Sequence, residues 1–245
     1  MRRARFEELD YQETPIGAVS LRRRIHPSSG EDVYEVKLDD DFLMSSTFTR
    51  AEVELARMAL ACAPDRPLKV VVGGLGLGYT AAAVLDDERV QDLLVVEALA
   101  PVISWHRDHL VPLGQRLAQD PRCRLVEGDF FALALSDDGF DHHQGRADAV
   151  VVDIDHSPEH LLSPGNAPFY TTAGIRRVAD RLQPGGVFAL WSDDPPEDTY
   201  LSRLRQVMPD AEAHVVTFPG ESGAHQSANT VYVGTTSVAR QRVEP

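Results

Sequence analysis

Apolar positions fall into two rhythms along the chain. From residue 68 onward, short β-branched runs alternate with stretches at helical spacing. The runs at 68–72, 93–97, 123–126, 148–153 and 186–191 predict strands. The stretches at 79–86, 99–109, 171–182 and 198–207 predict helices. Runs such as Val70-Val71-Val72 and Leu93-Leu94-Val95-Val96 are apolar on both faces, as in a parallel sheet covered by helices on each side. Later runs at 213–218 and 229–234 predict a closing antiparallel pair, giving an α/β fold with a seven-stranded sheet. Before residue 49 the pattern is different. Ile16 to Ile25, Val33 to Leu38 and Phe42 to Met44 are strand-like, and His26-Pro27-Ser28-Ser29-Gly30 separates the first two. Thr49 followed by Glu52 predicts a capping box for a helix running to about Ala61, closed by Pro64 and Pro67. Residues 1–48 are therefore expected as a small N-terminal β unit and 49–245 as a Rossmann-like nucleoside-binding domain. Ser136 to Arg146 is polar and predicts an exposed loop.

Composition narrows the classes. With 245 residues and 43% hydrophobic content, the chain can build a full core. A formal net charge of −14 argues against a nucleic-acid-binding face and leaves room for a cationic partner. Cys62 and Cys123 stand far apart with no C-x-x-C spacing, so neither a disulfide framework nor a zinc site is expected. Met1-Arg2-Arg3-Ala4-Arg5 is basic but leads into acids rather than an apolar segment, and no run reaches a membrane-spanning length. The expectation is a cytoplasmic chain with no membrane partner. Adjacent His142 and His143 point apart in most backbones and are not read as metal ligands.

The candidate chemistry gathers where strands end. Lys69-Val70-Val71-Val72 runs into Gly73, Gly74, Gly76 and Gly78, and a helix-compatible stretch follows. Glycines there permit close approach of a ligand, and a helix start offers free N–H groups. Glu97 ends the next apolar run, where a carboxylate can accept both hydroxyls of a ribose. Gly128-Asp129 follows a third strand; Asp129 is a candidate for the exocyclic amine of adenine, with Phe130 or Phe131 against the ring, or else a turn aspartate beside core aromatics. Asp153-Ile154-Asp155-His156 follows a nearly all-apolar run. Asp153 and Asp155 are candidate bases or orienting groups for an attacking amine, and His156 titrates near neutrality. Trp191-Ser192-Asp193-Asp194-Pro195-Pro196 follows another buried strand. Its two acids either hold a cationic amine or cap a helix. Pro158, Pro164, Gly165 and Pro168 suit a gate over the crevice. The dinucleotide spacing G-x-G-x-x-G fails from Gly74, because its third glycine would fall on Tyr79.

The G-x-G-x-G pattern at 74, 76 and 78 resembles class I S-adenosylmethionine-dependent transferases. Within these, the chain resembles the spermidine synthase (polyamine aminopropyltransferase) family. The residues that carry the likeness are Tyr11-Gln12, the glycine loop, Glu97, Gly128-Asp129, the Asp153 loop, Phe169-Tyr170 and Leu182-Gln183-Pro184-Gly185-Gly186-Val187. The resemblance implies an N-terminal β domain, a methyltransferase-type Rossmann-like core and a homodimer or higher homo-oligomer. It also implies a decarboxylated S-adenosylmethionine donor, an amine acceptor and no metal, with Tyr11 and Gln12 as substrate-binding residues. Two family acids are replaced: Gly76 stands where the glycine loop usually carries aspartate, and His156 where the D-x-x-D loop carries its second acid. Asp193 and Asp194 are candidate substitutes. The rival expectations are a methyltransferase using intact S-adenosylmethionine and a non-catalytic nucleoside or polyamine binder.

Overall fold

The computed structural model describes residues 5–140, 145–219 and 226–237. Strands β1 (Phe6–Thr14), β2 (Gly17–Ile25), β3 (Asp32–Leu38) and β4 (Asp41–Ser45) form an antiparallel meander in that order. The N-terminal unit thus has a strand, β1, that the hydrophobic pattern did not show. Phe-Glu-Glu-Leu-Asp-Tyr-Gln-Glu-Thr is an edge strand held largely by cross-strand charge. Glu7 lies opposite Arg23 and Glu8 opposite Arg22, with ion pairs of 2.6 and 3.3 Å. At a bulge beside Glu8, Asp10 accepts a hydrogen bond of 2.6 Å from the indole of buried Trp105, which fastens the small sheet to the main domain.

Helix α1 (Arg50–Cys62) leads into the second sheet. Its strands are β5 (Leu68–Gly73), β6 (Val90–Glu97), β7 (Cys123–Glu127), β8 (Ala147–Val152), β9 (Leu182–Ser192), β10 (Glu212–Pro219) and β11 (Gln226–Thr235). Their spatial order is β10-β11-β9-β8-β5-β6-β7. Neighbours from β9 to β7 are parallel, while β11 runs antiparallel to both β9 and β10. The seven expected strands all form. The connecting helices are α2 (Tyr79–Leu85), α3 (Ala100–Arg107), α4 (Gly114–Gln119), α5 (Phe130–Leu135), α6 (Thr172–Arg181) and α7 (Asp198–Arg205). The unforeseen α4 and α5 have six residues each, too few to display a helical period. One core layer contains Leu55, Ala81, Trp105 and Leu117; the other contains Phe130, Phe169, Ile175 and Tyr200. No helix among the described residues is long and apolar enough to cross a membrane.

The strand order reverses between β5 and β8, and the chain leaves these neighbours toward opposite edges of the sheet. A crevice at their carboxyl ends is where open α/β sheets place ligands. Register aligns the ends: Gly73 lies opposite both Val96 and Val152, and Glu97 opposite Glu127. The glycine loop, Glu97, Gly128-Asp129 and Asp153 are therefore brought to one edge.

Candidate active site

The glycines serve the protein's own packing as much as any ligand. Gly74 has φ +90°, and a Cβ there would run into the backbone oxygen of Asp153. Gly76 has φ +46°, and its Cβ would run into Sδ of Met44. That sulfur also accepts from the Leu77 N–H at 3.1 Å. Beneath Gly73 lies the Phe130 ring, 2.6 Å from where a Cβ would be; behind Gly78 lies His106, at 2.8 Å. Side chains and backbone from four other segments crowd against the loop, so packing requires small residues there in addition to any role in ligand approach. His106, fully buried, bonds through Nε2 to the Gly76 carbonyl at 2.9 Å, and burial pushes its pKa down, so the ring stays neutral and Nε2–H donates.

Glu97 is the loop's other fastening. Its Oε2 accepts from Leu75 N–H and its Oε1 from Leu99 N–H, both at 2.9 Å. Burial raises its pKa, and backbone N–H groups of Leu75, Leu99, Gly76 and Ala98 pull it back. Asp129 caps α5, its Oδ1 accepting from Ala132 N–H at 3.0 Å. Phe130 does not offer a ring face to a base. It is 2% exposed and packs with Phe131, Phe140 and Phe169 at centroid distances of 5.7, 5.0 and 5.8 Å. The helix that Asp129 caps turns this ring down into the core.

Asp153 stands directly after β8. Its Oδ2 accepts from Thr80 Oγ1 at 2.6 Å, and its N–H donates to the Gly73 carbonyl at 2.9 Å. The sequence reading missed its charged neighbour. Thr49 holds the N-cap position of α1, but no side-chain cap forms, and Glu52 lies inward against α2 at 9% exposure. Burial, then the Asp153 charge, push Glu52 up to about 8; burial pushes Asp153 up to about 6, with Thr80 opposing. The capping-box spacing disguised a crevice acid, and no local signal separates the two.

Asp155 and His156 diverge. Asp155 is 1% exposed and accepts from Leu162 N–H at 2.8 Å, Asn166 Nδ2 at 2.9 Å and Tyr170 O–H at 2.8 Å. It is the internal anchor of the 155–170 segment, with no acceptor turned to a substrate in this arrangement. His156 is half-buried, and its carbonyl accepts from Asp193 N–H at 2.6 Å.

Asp193 and Asp194 are tied to that same segment and to β11. Asp193 accepts from Asn229 Nδ2 at 2.7 Å, and Asp194 pairs with His160 Nδ1 at 2.6 Å. Hydrogen bonds from Ser157 and His160 hold Asp194 below the usual carboxylate range. Neither caps α7, whose N-cap position is Glu197. Tyr11 and Gln12 are not brought to the crevice. They sit exposed on edge strand β1 and bond to its own Glu13 and Asp10 at 2.9 and 2.7 Å. A Tyr-Gln pair in a charge-held strand resembles the family motif in letters alone. Among the described residues no three His, Cys, Asp or Glu side chains converge as a metal site, and His142 and His143 lie outside those residues.

No family model matches the chain. A polyamine aminopropyltransferase 2 of Pseudomonas aeruginosa is 28% identical over 176 residues, 68% of this chain and 47% of that protein. A polyamine aminopropyltransferase of Aeropyrum pernix is 28% identical over 124 residues, half of this chain and 36% of its own. The matched region thus spans less than half the length of these curated relatives. Among solved structures, spermidine synthase from Thermotoga maritima superposes with a TM-score of 0.72 at 18% identity, covering 94% of this chain and 73% of that one. A spermidine synthase in complex with the transition state analogue AdoDATO gives 0.73 at 18% identity, covering 94% and 74%. In sequence the chain is similar to polyamine aminopropyltransferases, and in fold to spermidine synthases. The structures establish the fold of this spermidine synthase-like chain, small N-terminal sheet included. Its departures are built in: Met44 occupies the space a side chain at residue 76 would need.

Proposed function

We propose that this spermidine synthase-like chain is a transferase that moves an aminopropyl group from decarboxylated S-adenosylmethionine to a small amine. The observation that carries this is the placement of Asp153. A carboxylate with raised proton affinity sits against the loop expected to hold the nucleoside, its backbone oxygen under Gly74 and its side chain on Thr80. In this reading the adenosine lies over the glycine loop, with Glu97 on the ribose and Asp129 on the adenine edge. An ammonium has no lone pair, so Asp153 takes one proton from the acceptor amine. The freed nitrogen attacks the carbon beside the sulfonium; the C–N bond forms, the C–S bond breaks, and sulfur keeps the electron pair as a neutral thioether, methylthioadenosine. The sulfonium is a good leaving group, so positioning the two reactants supplies much of the acceleration. On the same reading the chain works in the cytoplasm as a homodimer or higher homo-oligomer.

Calorimetric titration tests this reading. Methylthioadenosine and decarboxylated S-adenosylmethionine are expected to bind more tightly than S-adenosylhomocysteine and S-adenosylmethionine. The reverse order would transfer the chain to the methyltransferases, and binding of none would remove the nucleoside site.

A further inference from the structure

We propose that Glu52 and Asp153 together form the ammonium-binding cradle of this site, with Glu52 the specificity-determining second carboxylate that favours a cationic acceptor. The inference rests on the transferase reading and deepens it.

The geometry points this way from three directions. Glu52 comes from the first turn of α1 and Asp153 directly follows β8; α1 packs against both β8 and α2, and Thr80 of α2 bonds Asp153 at 2.6 Å, so the two acids approach from separate elements. Glu52 is more than nine-tenths buried, yet among the described residues its carboxylate makes no hydrogen bond beyond its own backbone, and the cap that would have used it is not made. Neither acid forms an ion pair with a lysine or arginine among the described residues. A buried pair of like charges without a cation is unfavourable, and a bound ammonium relieves it. Other acids in the region are already used: Asp155 by Leu162, Asn166 and Tyr170, Asp194 by His160, Asp193 by Asn229. Among the described residues, Glu52 is a buried acid with no side-chain hydrogen-bond or ion-pair partner. Tyr79, hydrogen-bonded to Ser46, and Thr80, bonded to Asp153, are the polar groups facing the pair. Met44 fills the space a side chain at residue 76 would need, so residue 76 supplies no carboxylate to the site. Burial and the Asp153 charge favour a proton on Glu52 in the unliganded site, and an arriving ammonium displaces it.

The test titrates 1,4-diaminobutane into protein saturated with methylthioadenosine, at pH 7, in two buffers of different ionisation heat. Wild type and Glu52→Gln are compared, with Glu54→Gln as control, since Glu54 pairs with Arg57 instead. The wild type is expected to release up to about one proton per amine bound. Glu52→Gln is expected to weaken the amine at least tenfold, to abolish most of that release, and to leave methylthioadenosine affinity within twofold. Equal amine affinity and proton release in wild type and Glu52→Gln would overturn the cradle and leave the nucleoside reading standing. A wild type that binds methylthioadenosine but no diamine would also overturn the cradle alone. A wild type that binds neither would overturn the cradle and the transferase reading together. Glu52→Gln relieves a buried charge, so thermal unfolding is expected to show a folded variant.

Discussion

The Glu52–Asp153 pair makes a prediction about the unliganded protein that needs no substrate. Both carboxyls bind their proton more tightly in the folded state than in the unfolded chain, because burial disfavours both charged forms and the Asp153 charge further opposes ionisation of Glu52. The stability they support is therefore complete below about pH 4, and it drains as pH rises toward 8, where Glu52 gives up its proton. At about 1.4 kcal/mol for each tenfold change in proton affinity, raising Glu52 from 4.5 to about 8 corresponds to a cost on the order of 5 kcal/mol at full ionisation. Glu52→Gln keeps the shape and removes the charge. Chemical denaturation of wild type and variant at pH 5, 6, 7 and 8 isolates the difference, because groups common to both cancel. The variant is expected to gain on the wild type progressively from pH 5 upward and to exceed it by ~2 kcal/mol or more at pH 8. Parallel curves, or a variant that loses ground as pH rises, would refute the argument that a charge is buried there without a partner.

Three further outcomes follow from the packing. Gly74→Ala, placed at φ +90° against the Asp153 carbonyl, is expected to cost at least ~2 kcal/mol in unfolding free energy and to lower methylthioadenosine affinity; equal stability would mean the loop shifts freely. Asp155→Asn is expected to speed amide hydrogen exchange across 155–170 at least tenfold while leaving exchange in β5 unchanged. His106→Ala is expected to reduce nucleoside affinity by severalfold through the lost bond to the Gly76 carbonyl, with the ring's pH effect confined below about pH 6.5: its folded pKa is depressed, so stability is lost as pH falls from there.

The large elements were legible because a parallel sheet writes apolar runs that few other structures need. Val70 to Val72, Leu93 to Val96 and Ala147 to Val152 are buried throughout, and the crevice follows from their order. What escaped was short or paired by charge. Strand β1 is held by arginines on β2, α4 and α5 are too brief for a period, and Glu52 mimicked a capping box by spacing alone. The site residues divide along the same line. Glu97, Asp129 and Asp153 stand where strand ends place them. Tyr11 and Gln12 were placed by two letters of a motif, and topology keeps them on an outer edge. Phe130 was read as a ligand platform, but a ring that follows a helix-capping aspartate points into the core.

The central claim is that this crevice transfers an aminopropyl group with Asp153 as the base. The most direct measurement incubates the purified chain with decarboxylated S-adenosylmethionine and 1,4-diaminobutane and follows methylthioadenosine by mass spectrometry, beside Asp153→Asn. The account predicts amine-dependent product from the wild type and at least a hundredfold less from the variant, with methylthioadenosine binding retained. Equal turnover in both proteins, or nucleoside binding with no product from any diamine, would contradict it.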